Sequence, residues 1–421
     1  MKTLNQYILE NTTNFRCWIT MPFQKIENSF ADVDWIYNYS VPENTTAYWS
    51  SASGCANYDE NLAILWAIWE SLERYSAFVY DFEIKKIDEV KDQKYLTYDD
   101  FSLFSDEQYN NKNFPFKKIE IKDIYFWKMY NIYTNEEIYI PQEMIWLWSK
   151  YWKVNIPTTS TWLATHFDKY RALLLSLQES LERDALTVYW QNSLPWRDIS
   201  DSNFAKNYKK EIENKWWRVY FFDITQDWNP HPVILTCWYL IHRNKKRISM
   251  WVACKENYEK AIKKSFTEWA QWTIFANYYS TFHPWLEFKK FDELRDFDHH
   301  AVYYTLYPQI WDKVPIINKS KKYSIDLKKN NKWDSKELLK DLLNTLKKEK
   351  IQFYYKDITS IDLNSIWLYV YKSISPDLSL IHWDEQTPFL WWKINDVKWR
   401  YWNFFDNKEI IFPNKYPHPL W

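Results

Sequence analysis

Glu70-Ser71-Leu72-Glu73-Arg74 and Glu179-Ser180-Leu181-Glu182-Arg183 are the same five residues, occurring twice in one chain of 421. On a helix, positions i, i+3 and i+4 share a face, so Glu70, Glu73 and Arg74 project together, as do Glu179, Glu182 and Arg183. Val79 and Tyr80 follow the first copy at the offset at which Val188 and Tyr189 follow the second, which marks a duplicated helix. Alone, either copy reads as a surface helix with an intrahelical Glu to Arg pair worth about 0.2–0.5 kcal/mol. Together they say more. If the two helices pack side by side, four carboxylates converge, and they cannot all stay ionised unless cations sit between them. Oxygen ligands without His or Cys favour Mg²⁺, which takes one or two carboxylates and completes its shell with water and phosphate. The arginines would face those phosphates. Spacing alone thus points to a Mg-nucleotide site, with a structural ion-pair network as the standing alternative.

Composition narrows the class. A net charge of -1 offers no bulk attraction to nucleic acid or to an anionic membrane. Cys17, Cys55, Cys237 and Cys254 are scattered without metal-binding spacing, which argues against zinc. No apolar N-terminal segment or long apolar run is present, so a cytoplasmic protein with neither nucleic acid nor membrane as partner is expected.

One count is anomalous: 1 Gly and 29 Trp. Average usage predicts roughly 29 glycines at this length, and the Trp count fills that deficit. Trp228, in Asp227-Trp228-Asn229-Pro230, stands where a turn calls for Gly, and Trp66 and Trp69 stand beside Glu70 where a small residue would admit a close neighbour. Most of these Trp are therefore expected to be UGA codons that the source organism reads as glycine. Trp190 fits the apolar period of its helix and reads as a true tryptophan.

Outward from the two strings, alternation over Phe15–Phe23 predicts a strand, and Ser50–Ala56 a small-residue loop. Helices are predicted over 61–80, with the stripe Leu65, Ile68, Leu72 and Tyr75, and after an Asp168 N-cap, with the stripe Leu174, Leu177, Leu181 and Val188. Short strand-like pieces are expected over 81–118, antiparallel strands over 119–140, a Ser/Thr-rich loop over 158–166, and a hairpin from 233–242 into 247–253. A third helix over 258–276 repeats the i, i+3 pair as Glu268 and Gln271. A Lys-rich amphipathic helix over 334–350, strands at 351–355, 367–371 and 374–380, and an extended tail ending in Pro417-His418-Pro419 complete the chain.

With Trp read as Gly at these places, the chain resembles the YcaO family, and within it the azoline-forming cyclodehydratases (the SagD-like branch). The resemblance rests on Gly-Ala-Ile-Gly before Glu70, on Ser-Thr-Gly-Leu-Ala followed by Leu177-Gln178-Glu179, and on Met250-Gly-Val-Ala followed by Phe266-Thr267-Glu268. It continues in the Asp357-Ile-Thr segment leading to Pro376-Asp377-Leu378 and in the Pro-His-Pro end. It implies an α/β (α+β) fold of repeated strand-hairpin and helix units around a central Mg-nucleotide site, as a single domain over 1–421 with its motif-bearing core from about 50. It further implies ATP and Mg²⁺ as cofactors, with Glu70, Glu73, Glu179 and Glu182 holding the metal, Arg74, Arg183, Glu268 and Gln271 contacting ATP, and Pro417 and Pro419 serving the active site from the tail.

In such enzymes a Cys, Ser or Thr of a ribosomally made precursor peptide attacks the preceding carbonyl carbon. Phosphorylation of the amide oxygen makes it a leaving group, and loss of phosphate leaves a thiazoline or oxazoline; the site positions and neutralises charge and needs no protein nucleophile or P-loop. Implied partners are the precursor peptide and a separate leader-binding protein resembling ubiquitin-activating enzymes; a homodimer is compatible. The tail carries one Pro-His-Pro instead of a longer proline alternation, and Phe167 or Arg171 replaces a polar residue early in the second helix, so part of the metal shell is expected to be rearranged. Two other readings stay open: a thioamide-forming or ribosomal-protein-modifying relative, and a non-enzymatic aromatic-rich glycan- or peptide-binding protein in which all 29 Trp are real.

Overall fold

Glu60–Val79 and Lys169–Gln191, the helices that carry the two strings, do not pack face to face; the strand Leu163–His166 lies between them and touches both. These relations come from a computed structural model, which describes residues 4–13, 19–28, 35–43, 51–80, 83–145, 156, 161–213, 217–242, 245–314, 320–325, 334–402 and 410–420. In chain order the principal helices are α1 (Leu4–Thr12), α2 (Glu60–Val79), α3 (Lys169–Gln191), α4 (Asn203–Glu213), α5 (Tyr258–Phe282), α6 (Phe297–Leu306) and α7 (Ser335–Lys348). The principal strands are β1 (Ile36–Val41), β2 (Ala52–Asn57), β3 (Phe126–Asn131), β4 (Glu137–Pro141), β5 (Leu163–His166), β6 (Trp217–Asp223), β7 (Val233–His242), β8 (Lys245–Cys254), β9 (Tyr354–Asp357) and β10 (Tyr369–Ile374).

The result is a mixed α/β fold of three sheets. β1 and β2 form an antiparallel hairpin edged by Gln24–Lys25. β8, β7 and β6 run antiparallel and are extended by Arg197–Asp198 and Lys321–Lys322. The third sheet, in the order β4-β3-β9-β10-β5, joins the middle of the chain to its C-terminal part. The expected unit of hairpin followed by helix is literal for β1-β2-α2 and β7-β8-α5. In the middle unit, β5 leads into α3 but pairs with β10, more than 200 residues away.

Local sequence explains the three helices. Each is opened by a side-chain cap: Asp59 accepts from Leu62 N, Asp168 from Tyr170 N, and Asn257 from Lys260 N, each worth about 1 kcal/mol. The inward stripes are buried as spaced, with Ile68, Leu72, Leu174, Leu177, Leu181 and Val188 all inaccessible. Behind α3, Asp184 and Arg400 form a fully enclosed ion pair at 2.8 Å, and Asp184 also accepts from Ser379 N and Gln226 Nε2.

Several expectations are corrected. Ser50–Ala56 is no loop: residues 52–56 belong to β2, which lies so close to α2 that a Cβ on Gly54 would sit 2.2 Å from Ala67 N and 2.4 Å from Ala63 O. Small residues there mark close packing. The 81–118 stretch holds short helices (Ile87–Val90, Asp106–Asn110) and isolated bridges, because its charged spacers cap turns as readily as they interrupt strands. The Phe15–Phe23 alternation falls partly on residues outside those described; 19–23 form no strand, and the unexpected α1 precedes them. The strand expected at 374–380 ends at Ile374, and α5 continues to Phe282. Of the loop expected over 158–166, Thr158–Ser160 lie outside the described residues, and Leu163–His166 form β5 instead, because they pair with β10.

Candidate active site

The chain lines one cavity of about 490 Å³ with residues from all three capped helices and the strands before them. The first string supplies Glu70, Glu73 and Arg74. Glu70 Oε2 accepts from Ser53 N at 3.1 Å, and its other oxygen pairs with Arg74 Nη2 at 2.6 Å. The second string repeats this: Glu179 Oε2 accepts from Trp162 N at 3.0 Å, and Oε1 lies 3.5 Å from Arg183 Nη2. Glu182 accepts from Cys254 N at 2.9 Å, which ties the end of β8 to α3. From α5, Gln271 donates to Ser53 Oγ at 2.6 Å, and Glu268 takes Lys264 Nζ at 2.5 Å and the Trp251 indole at 2.6 Å. All eight metal- and ATP-binding candidates named from sequence therefore line the same space.

Pro417 and Pro419 do not line it. They are buried in a tail held by Tyr304 Oη, which donates to Pro417 O at 2.6 Å, and by His300 Nδ1, 2.8 Å from His418 O. His418 stands behind Phe297, a wall residue, with ring centroids 6.5 Å apart.

Three carboxylates of the cavity are held above their ordinary range. Burial, and then the neighbouring Glu179 and Glu70, hold the Glu73 carboxyl well above the usual range. Burial also raises Glu179 and pushes Glu182 up to about 7, against the lowering pull of Arg183. Arg183 Nε and Nη1 are buried without an acceptor among the described residues. Crowded carboxylates raised by one another and a buried guanidinium with two unused donors fit Mg²⁺ and phosphate oxygens respectively. Among the described residues, no three His, Cys, Asp or Glu side chains converge on one metal-sized point; Mg²⁺ requires only one or two carboxylates per ion, with water and phosphate as the rest.

Sequence reasoning missed three lysines. Lys264 lay within reach, since it precedes Glu268 at i, i+4, the spacing already applied to the strings. Lys255, at the end of β8, and Lys372, on β10, had no local signal, because topology alone brings them in. Lys372 donates to Thr161 O at 2.6 Å, and burial pushes its ammonium down to about 8, opposed by Glu179 and Glu73. Burial, then Lys264 and Arg171, likewise push Lys255 down to about 8.

The profile of one protein family, described as YcaO cyclodehydratase, ATP- and Mg²⁺-binding, matches residues 34–379. The chain belongs to the YcaO family. The matched stretch contains all eight metal- and ATP-binding candidates and stops short of the proline tail. The YcaO family is one of ATP-dependent enzymes with ATP and Mg²⁺ as cofactors. No curated protein matches by sequence. Among solved structures the fold is similar to a heterocyclase in complex with substrate and cofactor (TM-score 0.72, 15% identity, 99% of this chain and 57% of that one). It is also similar to YcaO from Methanopyrus kandleri bound with AMPPCP and Mg²⁺ (TM-score 0.62, 14% identity, 88% of each chain). A third likeness is to a chain of the E. coli microcin synthetase McbBCD complex (TM-score 0.58, 18% identity, 85% of this chain and 88% of that one). The chain spans little more than half the length of that heterocyclase and 50% of the heterocyclase TruD.

Proposed function

We propose that this YcaO protein is an ATP-dependent cyclodehydratase that forms thiazoline or oxazoline rings at Cys, Ser or Thr of a ribosomally made precursor peptide, working with a partner that binds the peptide leader. The carrying observation is the convergence of Glu70, Glu73, Glu179, Glu182 and Glu268 on one cavity with Arg183, whose Nε and Nη1 have no acceptor among the described residues. Bound Mg-ATP would supply the phosphoryl group that makes an amide oxygen a leaving group. Glu70, Glu73, Glu179 and Glu182 would hold the metal, and Arg74, Arg183, Glu268 and Gln271 would orient the phosphates. The likeness to a heterocyclase and to a microcin synthetase component supports ring formation and a multi-protein setting. Pro417 and Pro419 would act indirectly, by keeping the wall at Phe297 and Ile381 in place from behind.

The proposal includes glycine at most Trp positions of the functional protein. Four indoles, of Trp66, Trp69, Trp251 and Trp272, protrude into the cavity, and Trp251 and Trp272 stack at 5.1 Å inside it. Trp162 and Trp367 adopt φ of 76° and 61°, in the left-handed region that costs a bulky residue about 1–2 kcal/mol and Gly nothing. The indole N–H groups of Trp69, Trp162, Trp196 and Trp228 are buried without an acceptor among the described residues. Trp190, read as genuine, instead donates to Tyr416 O at 2.7 Å.

Calorimetry with Mg-ATP on protein translated with UGA as glycine tests the reading, alongside Glu179→Ala and Glu182→Ala. Nucleotide binding lost in both variants is expected; unchanged affinity in both would remove the catalytic reading. The intact mass of natively expressed protein tests the recoding separately, and a mass equal to the all-tryptophan sequence ends it.

A further inference from the structure

Five cations line the cavity: Arg74, Arg171, Arg183, Lys255 and Lys264. Four already have a carboxylate: Arg74 with Glu70 at 2.6 Å, Arg171 with Glu256 at 3.3 Å, Arg183 with Glu179 at 3.5 Å, and Lys264 with Glu268 at 2.5 Å. Lys255 is different. Among the described residues, no carboxylate oxygen stands within ion-pairing distance of its Nζ and no acceptor takes a hydrogen bond from it. Its backbone is nonetheless fixed, since Lys255 N donates to Pro232 O at 3.2 Å and the preceding Cys254 N donates to Glu182.

A half-buried ammonium held at a cavity wall without a counter-ion leaves the compensating anion to the ligand. The surroundings restrict that anion. Glu182 and Glu268 are close enough to act on Lys255 through their charge, so a bare carboxylate entering there would be repelled. A phosphoryl group sharing Mg²⁺ with Glu182 meets no such penalty, and a lysine binds phosphate as a point charge.

We propose that Lys255 is a catalytic residue of the YcaO site that contacts the terminal, transferred phosphoryl group of the nucleotide and neutralises it as it moves to the amide oxygen. This rests on the Mg-nucleotide reading above. Arg74, Arg183 and Lys264 arrive with their charge already spent on Glu70, Glu179 and Glu268, so Lys255 contributes the uncommitted positive charge.

The test compares Mg-ATP with Mg-ADP by calorimetry on the full chain, for wild type, Lys255→Gln and Lys255→Arg, with thermal melts to establish that all three fold. Lys255→Gln is expected to weaken Mg-ATP binding about ten- to a hundredfold, the range for a charged hydrogen bond, while leaving Mg-ADP binding unchanged, and Lys255→Arg to restore part of it. Equal affinity of wild type and Lys255→Gln for ATP, or equal losses for ATP and ADP, would overturn the assignment. Failure of the wild type to bind Mg-ATP would instead bring down the nucleotide reading itself.

Discussion

Trp162 donates its backbone N–H to Glu179 across 3.0 Å from seventeen residues upstream, and Ser53 does the same to Glu70 across 3.1 Å from the same separation. A third pair, Trp251 and Glu268, keeps the separation, but its bond at 2.6 Å comes from an indole that glycine at that position would not have. The repeat is therefore a strand whose start meets the carboxylate of the helix it feeds, not the helix alone. A charge-assisted bond from a strand end fixes each carboxylate before any ligand arrives, which is the preorganisation that phosphoryl transfer requires. By the shared separation Glu268 is the third-unit counterpart of Glu70 and Glu179, with Gln271 in the place of Glu73 and Glu182.

The strand ends hold only if strand and helix stay close, and Gly54 is where they touch. A methyl there meets backbone, Ala67 N and Ala63 O, not a flexible side chain. Gly54→Ala is expected to cost about 1–3 kcal/mol, as overpacking does, and to lower Mg-ATP affinity by displacing Ser53 from Glu70. Urea titration and calorimetry check both. A variant as stable as wild type would mean that β2 and α2 can separate freely.

Trp367 isolates the backbone question from the cavity. It is 75% exposed and has φ of 61°, so it gains little from burial and carries the left-handed penalty. Trp367→Gly in the all-tryptophan chain should stabilise by about 1 kcal/mol, the steric relief exceeding the entropy cost of glycine. Thermal denaturation of the pair reads the sign directly, whatever the enzyme does.

Arg400 anchors the second acidic helix from behind. Its pair with Asp184 is fully enclosed, and Asp184 is the neighbour of Arg183. Arg400→Met strands a buried carboxylate and should destabilise by about 3–5 kcal/mol. Adding Asp184→Asn should recover part of that loss. Denaturant melts of the single and double variants give the coupling, and strict additivity would show that the pair is not a unit.

The helices and the eight metal- and ATP-binding candidates were legible because their signals are local: i, i+3, i+4 spacing, an Asp or Asn cap, an apolar stripe. Lys372 was not, since it comes from β10, whose partner β5 is far away in sequence; Lys255 was not, since it follows the predicted hairpin and only the docking of the end of β8 against Glu182 on α3 brings it to the cavity. Ser50–Ala56 was misread because small residues serve both turns and tight strand-helix contacts, and only the position of Ala67 separates the two uses. The tail read correctly as extended, but no local pattern announces that Tyr304 and His300 would bury it.

The crowding of carboxylates makes metal-free stability depend on pH with a definite sign. Glu182 is raised from 4.5 to about 7 in the folded chain, so between those values the folded state binds more protons than the unfolded one, and stability falls as pH rises. The Glu182 share cannot exceed about 3 kcal/mol. His231, pushed down to about 4 by burial, acts oppositely: the stability of its neutral form is lost as pH falls from 6.5 towards 4. Comparing wild type with Glu182→Gln cancels the histidine, because Gln can still accept from Cys254 N and carries no charge. In chelator, Glu182→Gln should gain on wild type steadily from pH 5 to about pH 7 and level off above it. Saturating Mg²⁺ should shrink the gap by stabilising the wild type, with proton release on binding. A gap that instead narrows with rising pH in chelator would mean that Glu182 ionises without penalty, and no cation would be needed among these helices to hold the carboxylates together.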